Sequence, residues 1–177
     1  MKKAIAILLA GLFAFALFAC GDKPPAPILT TQPGATTAAG LQTEIYFAPG
    51  GVRIEMGVPP TPVLNALGAP TSTLEVPSCA LKAKDIRYIY PGFLLDVTYP
   101  EEGEDYITAL RLTEDMYTVP GGITIKGTLA QIEAAYGTDY DADNGFYKYT
   151  KGKSTLEFSL VEGEVRQIRY NYLFDAD

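Results

Sequence analysis

The stretch PGGITIKGTLAQIEAAYG, Pro120–Gly137, decides the fold. Pro-Gly-Gly is a turn signal. Thr128 stands where an N-cap belongs, Leu129, Ile132 and Tyr136 follow at helical spacing, and Gly137 supplies a stop. The same order occurs earlier in the chain. PGGVRI, Pro49–Ile54, leads to Gly57 and then to TPVLNALG, Thr61–Gly68. There Thr61 reads as the cap, Pro62 as the first helical residue and Gly68 as the stop. Val52 and Ile54 correspond to Ile123 and Ile125, and Gly57 to Gly127 with one residue dropped.

After each helix the apolar period changes from 3.6 to 2. The first half offers IRYIY, FLLDVTY and YITALRLT; the second offers FYKYT, STLEFSLV and EVRQIRYNYL. Turn residues separate them at Pro91-Gly92, Glu101–Asp105, Lys151–Lys153 and Glu162-Gly163. The unit is therefore a short lead strand, a helix and a three-stranded meander, present twice, over 49–115 and 120–174. Units of this kind bury a face against each other. The sequence predicts an α+β domain: tandem helix-plus-antiparallel-meander repeats forming one sheet of six or more strands, with helices on one face.

Alternation divides the two faces of that sheet. Phe93, Leu95, Val97 and Tyr99, then Leu156, Phe158 and Leu160, then Ile168, Tyr170 and Tyr172, form apolar sets that should meet the helices. The opposite set gives an open face carrying Arg87, Asp96, Thr98, Lys148, Glu157 and Arg169, an assignment that a one-residue slip would invert. Twelve tyrosines and no tryptophan make the strand tyrosines Tyr88, Tyr90, Tyr147, Tyr149, Tyr170 and Tyr172 important. They read mainly as half-buried core. Any that projected from the open face beside Arg87 or Arg169 would instead build a recognition surface.

The N-terminus carries an address. Lys2 and Lys3 precede fifteen uncharged residues, Ala4–Phe18, which is short for a membrane span and suits a signal peptide ending at residue 19. The run closes on LFAC, Leu17–Cys20, which resembles the lipobox of bacterial lipoproteins. The resemblance implies that Cys20 is acylated, becomes the first mature residue and anchors the protein to the outer face of the cell membrane. Two or more acyl chains make that anchor stable, since each buried CH₂ contributes about 0.8 kcal/mol. Residues 20–44 then form a tether rich in Pro, Thr, Ala and Gly, which lacks the apolar surface to fold and reaches roughly 25–30 Å as a coil. A single globular domain, 45–177, follows. The chain has 14 basic and 21 acidic residues, so loss of the two leader lysines leaves 12 against 21, a net charge of −9. An acidic surface is repelled by phosphate backbones, so nucleic acid is not an expected partner. With Cys20 lipidated, Cys79 has no intramolecular partner, and reads either as a small buried apolar residue or as a reactive thiol.

IEMGVPPTPVLNALGAP, Ile54–Pro70, is similar to the glycine-valine-leucine-glycine pattern of BamE-type small lipoproteins and to the tandem units of the β-lactamase-inhibitor protein. In both, a strand leads through Gly to a helical segment and a second Gly before a sheet. The order of SCALKAKDIRYIYPGFLLDVTYP and PGGITIKGT also resembles lipoproteins of Gram-positive gut bacteria. These resemblances, over about residues 48–172, imply a binding module. They carry no contact residues across, and fold alone does not fix function.

Catalytic motifs are sparse. The chain has no histidine, which removes the usual Ser-His-Asp and Cys-His arrangements and most zinc sites. GITIKGT, Gly122–Thr128, puts Lys126 before Gly127, the reverse of a phosphate loop. DYDADNG, Asp139–Gly145, spaces Asp139, Asp141 and Asp143 as a calcium loop would, but has Asn144 at the sixth position and Thr150 at the twelfth; an acidic turn bent at Asn144-Gly145 fits as well. Glu101, Glu102, Glu104 and Asp105 crowd a hairpin around Gly103 rather than flanking a substrate. No cofactor is expected. The sequence therefore points to a non-enzymatic lipoprotein that binds a protein or peptide through its open sheet face. A structural part of envelope assembly is the alternative, and a hydrolase the remote one.

Overall fold

A computed structural model describes residues 42, 44–76 and 83–174. The leader, Cys20, nearly all of the tether, Cys79 and the last three residues lie outside the described residues. A 3-10 turn at Pro49–Gly51 precedes helix α1, Pro60–Leu67. Four strands follow: β1 (Ser72–Val76), β2 (Ala83–Tyr90), β3 (Phe93–Pro100) and β4 (Tyr106–Leu112). Helix α2, Leu129–Tyr136, is followed by β5 (Asp141–Asp143), β6 (Phe146–Lys151), β7 (Ser154–Val161) and β8 (Glu164–Tyr172). The strands form one antiparallel sheet in the order β1-β2-β3-β4-β8-β7-β6-β5. β4 and β8 therefore meet at the centre, and β1 and β5 are the edges. The fold is α+β with a single sheet.

The six strands expected from alternation are present, and two more join them. β1 is exposed along most of its length and β5 is three exposed residues, so neither shows the buried alternation that marks a strand. DYDADNG is thus a strand and a turn. Asn144 (φ 47°) and Gly145 (φ 83°) both adopt positive φ, the requirement of a tight two-residue hairpin, and join β5 to β6. The lead strands are reduced to isolated bridges, Phe47 with Ile54 and Val119 with Ile123.

The helix signals divide in the same way. Thr128 caps α2 as expected: its side chain accepts from Gln131 N–H, while its own N–H donates to Gln131 Oε1 at 2.8 Å. Thr61 does not cap α1. That helix starts earlier, at Pro60, with Pro59 in the cap position and no side-chain cap. Proline suits the first helical residue because it has no N–H to leave unpaired and its φ is preset. Gly68 (φ 77°) and Gly137 (φ 83°) end the helices by donating to Leu64 O at 3.1 Å and Glu133 O at 2.8 Å.

The core lies between the helices and one sheet face. Phe47, Phe93, Leu95, Val97, Ile107, Leu110, Ile132, Leu156, Phe158, Ile168 and Tyr170 are all buried there. Tyr90 donates to Gly68 O (3.2 Å) and Tyr149 to Gly137 O (2.7 Å), so each helix end is tied to a strand by a phenol. The register pairs Tyr88, Tyr90, Tyr147, Tyr149, Tyr170 and Tyr172 with Leu95, Phe93, Phe158, Leu156, Leu156 and Ser154. These six tyrosines thus face the helices, whereas Tyr106 on β4, the register partner of Thr98, lies on the open side.

Several geometric features occur twice along the chain. The two eight-residue helices lie 69 positions apart, as do their terminal glycines. Gly57 (φ 79°) donates to Ile107 O at 2.7 Å; Lys126 (φ 74°), 69 positions on, donates to Val165 O at 2.7 Å. The sheet register slips at Asp96/Val97 in β3 and at Ser159/Leu160 in β7. In this frame Gly57 answers to Lys126 rather than to Gly127. Gly127 is glycine for space: a Cβ there would lie 2.9 Å from Thr124 O.

Candidate binding surface

The alternation places Arg87, Asp96, Thr98, Lys148, Glu157 and Arg169 together on the face opposite the helices. Their register partners make rows across the strands. Arg87 lies opposite Asp96, and Lys148, Glu157 and Arg169 lie side by side on β6, β7 and β8. Strand alternation fixes this face because the intervening residues, Leu95, Val97, Leu156, Phe158, Ile168 and Tyr170, are buried against the helices.

Two parts of the surface are locked internally. The Arg87 guanidinium grips Asp96 with two bonds of 2.7 Å, one to each carboxylate oxygen, and this hydrogen bonding raises the arginine pKa further. Thr98 donates to Asp85 Oδ1 at 2.6 Å and contacts the Thr108 hydroxyl. Thr98 and Thr155 are only 3% and 2% exposed. Thr98 was expected as a contact residue; shielding by its neighbours makes it a strut beneath the surface. Thr155 plays the same part, accepting from Asn171 Nδ2 at 3.4 Å.

The other side is more open. Asp141, Ala142, Asp143, Phe146, Lys148, Glu157 and Arg169 line a shallow groove of about 410 Å³. Lys148 pairs with Asp141 at 3.4 Å, and Phe146 is 43% exposed. Arg169 reaches Gln167 Oε1 at 3.4 Å. Asp139 precedes β5, while Asp141 and Asp143 lie along it, with Asp143 accepting from Asn144 Nδ2 at 2.8 Å. Among the described residues no three of His, Cys, Asp and Glu converge as cation ligands.

A central surface residue escaped the sequence reading, as did Asp85, Tyr106 and Phe146 on the same face. Arg111 on β4 is the cross-strand partner of Arg169. Its strand was legible as YITALRLT, but its face was not. The register slip at Asp96/Val97 breaks the simple alternation that would have assigned it. Chemically the surface offers fixed charges, amides and hydroxyls, and the Thr98 hydroxyl is shielded from solvent.

Among the described residues no helix is long and apolar enough to cross a membrane. In comparisons with protein-family models, curated proteins and solved structures, nothing matches this chain.

Proposed function

We propose that the protein is a lipid-anchored, non-enzymatic binding module of the cell envelope that engages a protein partner through the open face of its sheet. One observation carries this reading: an eight-stranded sheet is covered by helices on one side, while its other side presents a broad polar surface stiffened by the Arg87–Asp96 fork and the two buried threonines. Such a surface is preorganised, which lowers the ordering cost of association. Anchoring follows the lipobox-like segment ending at Cys20, and Cys20→Ser should release the protein from membranes.

The domain is further read as a duplication of one helix-plus-four-strand unit, the architecture of the inhibitor-like resemblance. The 69-residue spacing of the helices, the matching positive-φ residues and the two register slips support it. An experimental structure in which α1–β4 and α2–β8 do not superpose would overturn it.

The functional test is affinity capture from native membranes with the full chain and with Ser159→Trp, a bulky block on the open face. A stable partner lost on blocking is the expected result. A partner retained by the blocked protein overturns the reading. Turnover of a hydrolase substrate, abolished by Asp96→Asn or Glu157→Gln, would replace it with an enzyme.

A further inference from the structure

We propose that Arg111 and Arg169 together form a carboxylate-binding site at the centre of the open face, filled by an acidic side chain of the protein partner. This rests on the binding-surface reading above. The two arginines are direct partners across the β4–β8 junction. They are also equivalent positions under the proposed duplication. Ile107 and Val165 receive the same contacts, from Gly57–Val58 and from Lys126–Gly127, and four residues further on stand Arg111 and Arg169. The pseudo-twofold axis of the proposed duplication thus passes between these two strand positions.

Like charges directly opposite on neighbouring strands are unfavourable. Elsewhere on this face the cations are matched: Arg87 holds Asp96, and Lys148 holds Asp141. The central pair is not. Arg111 makes no hydrogen bond or ion pair among the described residues, and the recorded bond of Arg169 is the long one to Gln167. Asp96, diagonal to Arg111, is engaged by Arg87. Leu94 stands directly beside Arg111, and no ion pair closes between Arg169 and its neighbour Glu157 among the described residues. The next rung, Ala109 opposite Asn171, adds a small side chain and an amide.

Two permanently charged, forked donors carried by paired positions on one face suit a planar oxyanion that each can grip. The surroundings select its charge. Asp85, Asp96, Asp141, Asp143 and Glu157 share the face, and the chain is net −7, so a singly charged carboxylate is repelled less than a phosphate dianion. A second copy of the chain would bring arginine against arginine, which disfavours self-association here.

The test uses the full chain in detergent micelles and, as probe, a Gly-Ser-Glu repeat peptide with blocked ends. Its Gly-Ser-Gln twin is the control. The Glu peptide should bind at low salt, the Gln peptide should not, and Arg111→Gln and Arg169→Gln should each weaken binding at least tenfold. Without peptide, Arg111→Gln should raise the thermal midpoint at low salt, and the gain should vanish at high salt. Unchanged binding by both variants overturns the proposal. So does lost binding together with a lowered midpoint at low salt, which would make the arginines part of the scaffold. Inorganic phosphate displacing the peptide at lower concentration than acetate overturns the choice of carboxylate. A membrane partner lost on Ser159→Trp but retained by Arg111→Gln and Arg169→Gln leaves the binding surface standing and removes the arginine site.

Discussion

The surroundings of α1 and of α2 hold similar short helices with different chemistry. Around α1 the chain relies on rigidity: Pro59 and Pro60 start the helix, and the backbone turns at Gly57 without a side chain. Around α2 it relies on polar contacts: a capping box starts the helix, and Lys126 holds the corresponding left-handed turn while pairing with Asp115. Under the proposed duplication, Leu67 and Leu112 answer to Tyr136 and Tyr170. The two helices are therefore started by different means, one preset by proline and one fixed by side-chain hydrogen bonds, and the difference predicts which region responds to which perturbation.

Alkaline pH should have the largest effect, and first on the α2 side, where the most deeply buried phenol, Tyr170, lies, although burial also raises Tyr90, Tyr99 and Tyr106 on the α1 side. Burial holds the Tyr136 and Tyr170 phenols well above the ordinary tyrosine value, and it pushes Tyr149 up to about 12. A raised folded-state pKa means that the native state keeps its proton longer than the unfolded chain does. The associated stability is fully present below about pH 10 and is lost as pH rises through 12. Unfolding followed against pH should start above pH 10, and hydrogen exchange should show the β6–β8 side opening first. Simultaneous loss of protection around α1 would break the contrast.

A smaller effect comes from the paired turns. Gly57 has φ 79°, and a Cβ there would lie 2.4 Å from the Tyr172 ring. Gly57→Ala adds both backbone strain and overpacking, and should cost about 2–4 kcal/mol in chemical denaturation. Lys126→Gly, at the corresponding turn, removes strain instead and should stabilise by up to about 1 kcal/mol. Equal losses at both sites would argue against treating these turns as equivalent.

Tyr170→Phe tests the α2 side from within. Tyr170 is fully buried, and its hydroxyl has no partner among the described residues. A buried unsatisfied hydroxyl carries a desolvation cost, so its removal should stabilise the protein by about 1 kcal/mol at neutral pH. It should also shift the alkaline transition upward. A destabilised variant would mean that the hydroxyl has an undetected partner.

These contrasts also explain what was legible in the sequence. Strands such as STLEFSLV were readable because one face is buried, so their period is written into the residues. β1 and β5 were not, because edge strands are held by backbone hydrogen bonds that leave no side-chain signature. Six open-face residues could be placed by alternation alone. Arg111 could not, because the slip in β3 shifts the pairing of β4, and its pairing with Arg169 depends on which strands meet at the centre. Gly57 was matched to Gly127 because residue identity was followed. Under the proposed duplication the backbone pairs it with Lys126, for φ is a property of the position and glycine only its commonest occupant.

The smallest predicted difference lies at the helix starts. Thr128→Ala removes a side-chain acceptor from the first turn of α2 and leaves Gln131 N–H without it, which should cost about 1 kcal/mol. Thr61 carries the same residue type just inside α1, where no side-chain cap operates because Pro59 and Pro60 begin the helix. Thr61→Ala should therefore be neutral within about 0.5 kcal/mol, or slightly stabilising through the better helix propensity of alanine. Urea denaturation of the two variants against the parent chain measures the difference directly. Equal destabilisation would restore Thr61 as a cap and shift the start of α1 by two residues. It would also erase the proposed contrast between a helix begun by proline and one begun by hydrogen bonding.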